Sequence, residues 1–123
     1  MKGFKVNLEK ITLGNGYFRN VIFTAPHSQL VLMSLKPKEE IGFEVHTQND
    51  QFFRFEAGHG KVVVEEEEFL VEAGDGVVVP GDTKHNVVNL DNEYDLKFYT
   101  IYSPAHHMQG TIHRTKEEAL SGE

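Results

Sequence analysis

The stretch GFEVHTQNDQFFRFEAGHG, Gly42 to Gly60, interleaves apolar and polar side chains and carries glycine at both ends. On an extended strand, side chains two apart share a face. Glu44 and His46 then point one way, and Ile41, Phe43 and Val45 the other. Past the turn-prone TQND, Gln51, Phe53 and Phe55 share one side, and Phe52 and Arg54 the opposite one. If the two halves pair as a hairpin around TQND, then Glu44, His46 and Gln51 converge on a single face. The stretch reads equally as an ordinary amphipathic hairpin and as one wall of a metal site. Its other side, with Phe43, Val45 and Phe52, is too apolar to stand bare in water. That side requires a cover, either a second copy of the chain or an overlying N-terminal strand.

Outward from this stretch, alternation of period two dominates. YFRNVIFTA and SQLVLMSL read as strands parted by a turn at Pro26, and KPKEE, Lys36 to Glu40, as a polar turn. After IGFEVH and QFFRFEAG come KVVVEE, EFLVEA, GVVVPG, HNVVNL and LKFYTIYS, separated by GHG, GDG, GDTK and DNEYD. Many short strands at close spacing predict an all-β domain, a single antiparallel barrel or jelly roll. The acidic run Glu65 to Glu68 reads as the solvated tip of a hairpin. The single helical signal is TKEEALSG at the end, where Thr115 caps a short C-terminal helix stopped by Gly122.

The 123 residues suit one domain, 1–123, with 39% hydrophobic and 25% charged residues. A net charge of −7 argues against nucleic acid and against a polybasic membrane role. With no cysteine there is no disulfide, thiolate metal site or cysteine nucleophile. The start MKGFKVNLEKI does not read as a signal peptide, and no apolar run approaches the ~20 residues of a membrane span. A cytoplasmic domain is the expectation. No nucleophile elbow surrounds Ser28, Ser34, Ser103 or Ser121, and no glycine-rich loop opens a helix to cradle phosphate.

One further candidate ligand is His85 in GDGVVVPGDTKHNVVN, which the turn at Pro80 and Gly81 places at the start of a returning strand. Two imidazoles and a carboxylate are the donors of a facial triad, and Gln51 offers a fourth, neutral oxygen. Donors of nitrogen and oxygen without thiolate suit iron, manganese, nickel or zinc as divalent ions. A satisfied hairpin with incidental histidines fits the spacing as well. The other histidines read as structural: His59 in an exposed turn and His27 beside Pro26. His106, His107 and His113 crowd the tail without a spacing that forces them together, though a tail folded back over the barrel brings them to its mouth. Tyr99, Tyr102 and Arg54 are polar groups able to orient a substrate, but alternation turns Arg54 away from the ligand face.

At these residues the chain resembles the cupin superfamily, in particular its small single-domain members. The first cupin motif, a glycine, His-x-His, a glutamate and a closing glycine, lies at about 42–60. Glu44 stands at its first histidine position, His46 at the second, Gln51 at the glutamate position and Gly58 at the closing glycine. The second motif, about 74–89, reads Gly74, Pro80, Asp82 in place of the middle glycine, His85 and Asn89. The tail LKFYTIYSPAHHMQGTIHRTKEEAL is similar to that of cupins grouped as mannose-6-phosphate-isomerase-like. The resemblance implies a metal held by Glu44, His46, Gln51 and His85, and the apolar outer side of the first motif makes a homodimer the expected assembly. Carboxylate and imidazole have exchanged places relative to the family pattern, and the glutamate position is a neutral amide, yet the donor set keeps one negative charge. The functions this allows are a metal-dependent enzyme on a small organic substrate, dioxygenase-like or isomerase-like, a small-ligand or metal-binding module, and a barrel kept for self-association. No cation projects from the inward face of the first motif to hold a sugar phosphate.

Overall fold

A computed structural model describes residues 1–121, so the expected stop at Gly122 lies outside the described residues. The chain runs α1 (Leu8–Gly14), β1 (Arg19–Thr24), β2 (Gln29–Leu35), β3 (Asp50–Ala57), β4 (His59–Val64) and β5 (Glu67–Glu72). It continues through β6 (Gly76–Val79), β7 (His85–Asn89), β8 (Leu96–Ser103), β9 (Ile112–His113) and α2 (Lys116–Ser121). Six strands form one sheet in the order β6-β3-β8-β2-β1-β9, and three form another in the order β5-β4-β7. Every pairing is antiparallel. The all-β jelly roll expected from the alternation is the fold, and no helix among the described residues is long and apolar enough to cross a membrane.

The core lies between the sheets, where Val31, Met33 and Leu35 of β2, Phe53 and Phe55 of β3 and Phe98 of β8 meet Val62 and Val87 of the smaller sheet. These are the odd or even members of their strands, as period-two alternation requires. Strand β2 departs from it: Leu32 is as buried as its neighbours Val31 and Met33, so both faces are covered. The helix α1 packs across β8 and β3. It is a feature the sequence reading missed. Its seven residues, capped by Asn7 whose side chain accepts from Lys10 N, are too few to display a helical period. The N-terminal cover is thus a helix rather than a strand, and it leaves Phe43 and Val45 exposed, with the Lys84 ammonium over the Phe43 ring. At the other end, Glu118 N bonds Thr115 Oγ1 while Arg114 N bonds Glu118 Oε1, the capping arrangement expected for α2.

The hairpin expected around TQND does not form. Residues 40–44 instead run along β7, with bridges Glu40 to Val88 and Glu44 to His85, while β3 pairs with β6 and β8. TQND is therefore a crossing from one sheet to the other. Asn86 fastens the first half to β7, its side chain accepting from Gly42 N at 2.8 Å and donating to Glu40 at 3.1 Å. Gly42 adopts φ +105, a conformation that L side chains rarely take, and bends the chain just before Glu44. Asp82 occupies the motif's middle-glycine position at φ +64, in the left-handed region that aspartate tolerates, and its N–H bonds the His46 carbonyl at 3.0 Å.

Candidate metal centre

Three side chains with metal-binding donor atoms reach one point from three backbone segments. Glu44 comes from the strip along β7, His46 from the crossing that follows, and His85 from the first residue of β7. Their donor atoms all lie within 4.8 Å of one another. The two histidines are 7% and 3% exposed, whereas the Glu44 side chain keeps 34% of its surface open. The cluster therefore sits in the wall of the barrel with one donor facing outward.

Hydrogen bonding sets the state of His85. Its Nδ1 lies 2.9 Å from the Thr83 carbonyl, which can only accept, so the ring proton is on Nδ1. That leaves the Nε2 lone pair free, and Nε2 is buried without a hydrogen-bond partner. Burial holds this imidazole below its usual range and outweighs the Thr83 bond, so it is neutral at pH 7. His46 Nε2 is likewise buried and unbonded, 3.5 Å from Glu44 Oε1. Burial pushes the Glu44 carboxyl up, but the His46 contact and the charge of Arg19 outweigh it and hold the acid below its ordinary value. An ionised carboxylate beside two imidazoles whose Nε2 atoms are unbonded is the donor chemistry of a divalent cation.

Gln51 projects inward from β3 and is 3% exposed. Its amide nitrogen donates to Thr100 Oγ1 at 3.0 Å, which orients the carbonyl, and Oε1 is buried with no partner. A buried carbonyl left unbonded is uncommon in a native interior. Arg54, as alternation indicates, points away and pairs with Glu56 at 3.5 Å. His27 and His59 stay exposed, the latter 3.3 Å from Asp91.

The tail histidines divide. The His106 ring lies 4.2 Å from that of His46 and 5.3 Å from Tyr102, and His107 stands edge-on to His106 at 4.7 Å. The buried side chain of Gln29 holds this segment: its oxygen accepts from His106 N at 3.1 Å and His107 N at 2.9 Å, and its nitrogen donates to the His107 carbonyl at 2.7 Å. From the other side the Asn49 amide bonds the carbonyl of Pro104. Burial, with the nearby Arg19 and His106, pushes His107 down to about 3, so it is a neutral ring whose Nε2 lies 3.3 Å from the Tyr102 hydroxyl. Burial likewise raises Tyr102, which keeps its proton. His113 lies apart on β9, opposite Arg19 of β1.

Beside the cluster opens a cavity of about 360 Å³, lined by Glu44, His106, His107, Arg19, Lys116 and Leu120 among others. The sequence reading missed Arg19 and Gln29. Both carry the same signal, a polar side chain in phase with buried apolar neighbours: Arg19 with Val21 on β1, Gln29 with Val31 and Met33 on β2.

Comparison with known proteins agrees with this architecture. Protein L612 of Acanthamoeba polyphaga mimivirus is 46% identical over 89% of this chain and 70% of its own length. YrkC of Bacillus subtilis is 41% identical over 99% of this chain and 68% of its own. The crystal structure of BH2720 from Bacillus halodurans superposes with a TM-score of 0.94 at 38% identity, covering 98% of this chain and 95% of that one. Residues 31–102, more than half of the chain, match the family described as the cupin domain. With its jelly roll and a Glu/His/His cluster in the barrel wall, the chain belongs to the cupin family.

Proposed function

We propose that this cupin is a metal-dependent enzyme acting on a small organic substrate, with Glu44, His46 and His85 as ligands and the Gln51 carbonyl as a fourth. The observation that carries the reading is a set of buried lone pairs, two of them within the Glu44/His46/His85 cluster. His46 Nε2, His85 Nε2 and Gln51 Oε1 are all enclosed and unbonded. Each such group costs ~1–3 kcal/mol unless a partner takes it up. A divalent ion of iron, manganese, nickel or zinc supplies that partner and, when bound, polarises a substrate oxygen as a Lewis acid.

The chain's own groups define the surroundings. Thr83 holds His85 in the ligating tautomer, and Thr100 aims Gln51. Gln29 and Asn49 fix the segment that carries His106 and His107 over the cluster and narrow its access to water. The Tyr102 hydroxyl and His107 Nε2, 3.3 Å apart, form a neutral hydrogen-bonding pair beside the cluster. Dioxygenase-like and isomerase-like chemistry both fit such a site.

The test is metal analysis of protein purified without added metal, followed by reloading. Stoichiometric metal that is lost in His46→Ala and His85→Ala supports the ligand set. Absence of stoichiometric metal, with manganese, iron, nickel and zinc all failing to shift the melting temperature, overturns it. Metal that binds without turnover of small acids, phenols or sugars makes the same site a binding module.

A further inference from the structure

The cavity beside the cluster carries a charge that the metal reading leaves unused. Arg19 is 6% exposed in β1, beneath a chain whose net charge is −7. It lies over the Phe18 ring at 5.2 Å, and its Nη1 is 3.1 Å from His113 Nδ1. Guanidinium can only donate, so His113 accepts at Nδ1 and aims the arginine. The Arg19 Nε is buried without a partner, and no carboxylate lies within ion-pair distance of Arg19 among the described residues. Glu44 feels this charge across the cavity but makes no ion pair with it, and enclosing a guanidinium without a paired anion is costly. Lys116 of α2 lines the same cavity, again without an ion pair among the described residues.

Among the described residues, Glu44 is the one carboxylate lining this space. Leaving the imidazoles aside, Arg19, Lys116 and Glu44 sum to one positive charge, and to three once a divalent ion sits on Glu44, His46 and His85. We propose that the cavity binds a small organic carboxylate, which reaches the metal with one oxygen group and sets a carboxylate on Arg19, with Lys116 as a second, outer cation. This rests on the metal reading and narrows its substrate to an acid. The planar fork of Arg19 suits a carboxylate held by two parallel bonds. Arg19 is then a binding residue and His113 a positioning residue that acts through it.

The experiment is calorimetric titration of manganese-loaded protein with malonate and with malonamide, which has the same skeleton without charge. Malonate is expected to bind and malonamide not. Arg19→Met is expected to weaken malonate on the order of ten- to a hundredfold. It should leave manganese affinity unchanged or raised, because a cation near the dication has been removed. Lys116→Ala, in a half-buried helical position, is expected to cost about two- to fivefold in malonate affinity and keeps the proposal testable if the Arg19 variant does not fold. His113→Leu should weaken malonate while sparing manganese. Loaded protein that takes malonate and malonamide alike, or variants that retain full malonate affinity, overturn the proposal. Failure of manganese to bind overturns the ligand set instead. Malonate titration of the metal-free protein then decides for Arg19: binding that Arg19→Met abolishes supports it, and no binding refutes it.

Discussion

Replacement of His85 by leucine separates a metal ligand from a histidine that merely packs, because the two roles predict opposite signs. His85 is 3% exposed, and its ring lies 6.2 Å from that of Phe53 and 5.2 Å from that of His46. Without metal, its buried Nε2 has no partner, a cost of ~1–3 kcal/mol, whereas the Nδ1 bond to Thr83 contributes about 1 kcal/mol. Leucine removes both terms. The metal-free variant is therefore expected to be as stable as the parent or more so, by up to ~2 kcal/mol. Metal reverses the ranking. Free ion at a hundred times its dissociation constant stabilises the parent by ~2.7 kcal/mol. For a chain of 123 residues that is a rise of about 10 °C, from an unfolding entropy of ~2.1 cal/mol/K per residue. The variant should show none of it. The assay is thermal unfolding by circular dichroism, with chelator and then with zinc or manganese. A variant that loses more than ~2 kcal/mol without metal and keeps the metal-induced shift would refute the reasoning, since His85 would then be a satisfied core residue.

Asn89 should matter to stability more than to metal. Fully buried, it donates to the carbonyls of Leu35, Lys36 and Tyr94 at 2.9 to 3.0 Å and accepts from Asp91 N at 2.9 Å. Asn89→Leu is expected to cost ~3–5 kcal/mol in urea unfolding, and a loss under ~1 kcal/mol refutes this account. The depressed His107 gives a pH dependence of defined sign. Between the ordinary imidazole value of 6.5 and about 3 the unfolded chain takes up a proton that the folded chain refuses, so its stabilising contribution is complete above that window and fades as pH falls through it. His107→Asn should flatten that part of the acid limb, and an unchanged pH–stability curve refutes it. The homodimer expected from the apolar sides of the first motif is tested by sedimentation. Phe43 and Val45 are 56% and 50% exposed, and Phe43→Glu with Val45→Glu should weaken association. A parent chain sedimenting as a 14.0 kDa monomer refutes the dimer.

Much of the barrel was legible because period-two alternation reports which side of a strand meets the core. Gln51, Phe53 and Phe55 are all inward, and Phe52 and Arg54 are not. The Glu65–Glu68 run turns from β4 into β5, as an acidic tip should, with Glu65 itself at φ +53. His85 opens β7 after the turn at Gly81. Alternation does not report which strand lies alongside. Glu44 and His46 were assigned the right shared face but the wrong neighbour, since residues 40–44 pair with β7 and not with β3.

What the residues alone determined was the donor set and its parity. Carboxylate, imidazoles and amide stand at positions that strands must turn to one side, and glycines stand where the backbone must bend or approach closely. Gly42 at φ +105 is one, and Gly58 is another, where a Cβ would meet the Asp95 carbonyl at 2.6 Å. Only the tertiary structure decided what else faces that set. Arg19 arrives from β1 and His106 and His107 from beyond β8, each far in sequence from Glu44. Their meeting depends on sheet order and on Gln29 pinning the tail, and those are long-range pairings that no local periodicity encodes. The shared face of the candidate donors was thus readable from alternation, and the cations beside them were not, because alternation carries faces and only packing carries neighbours.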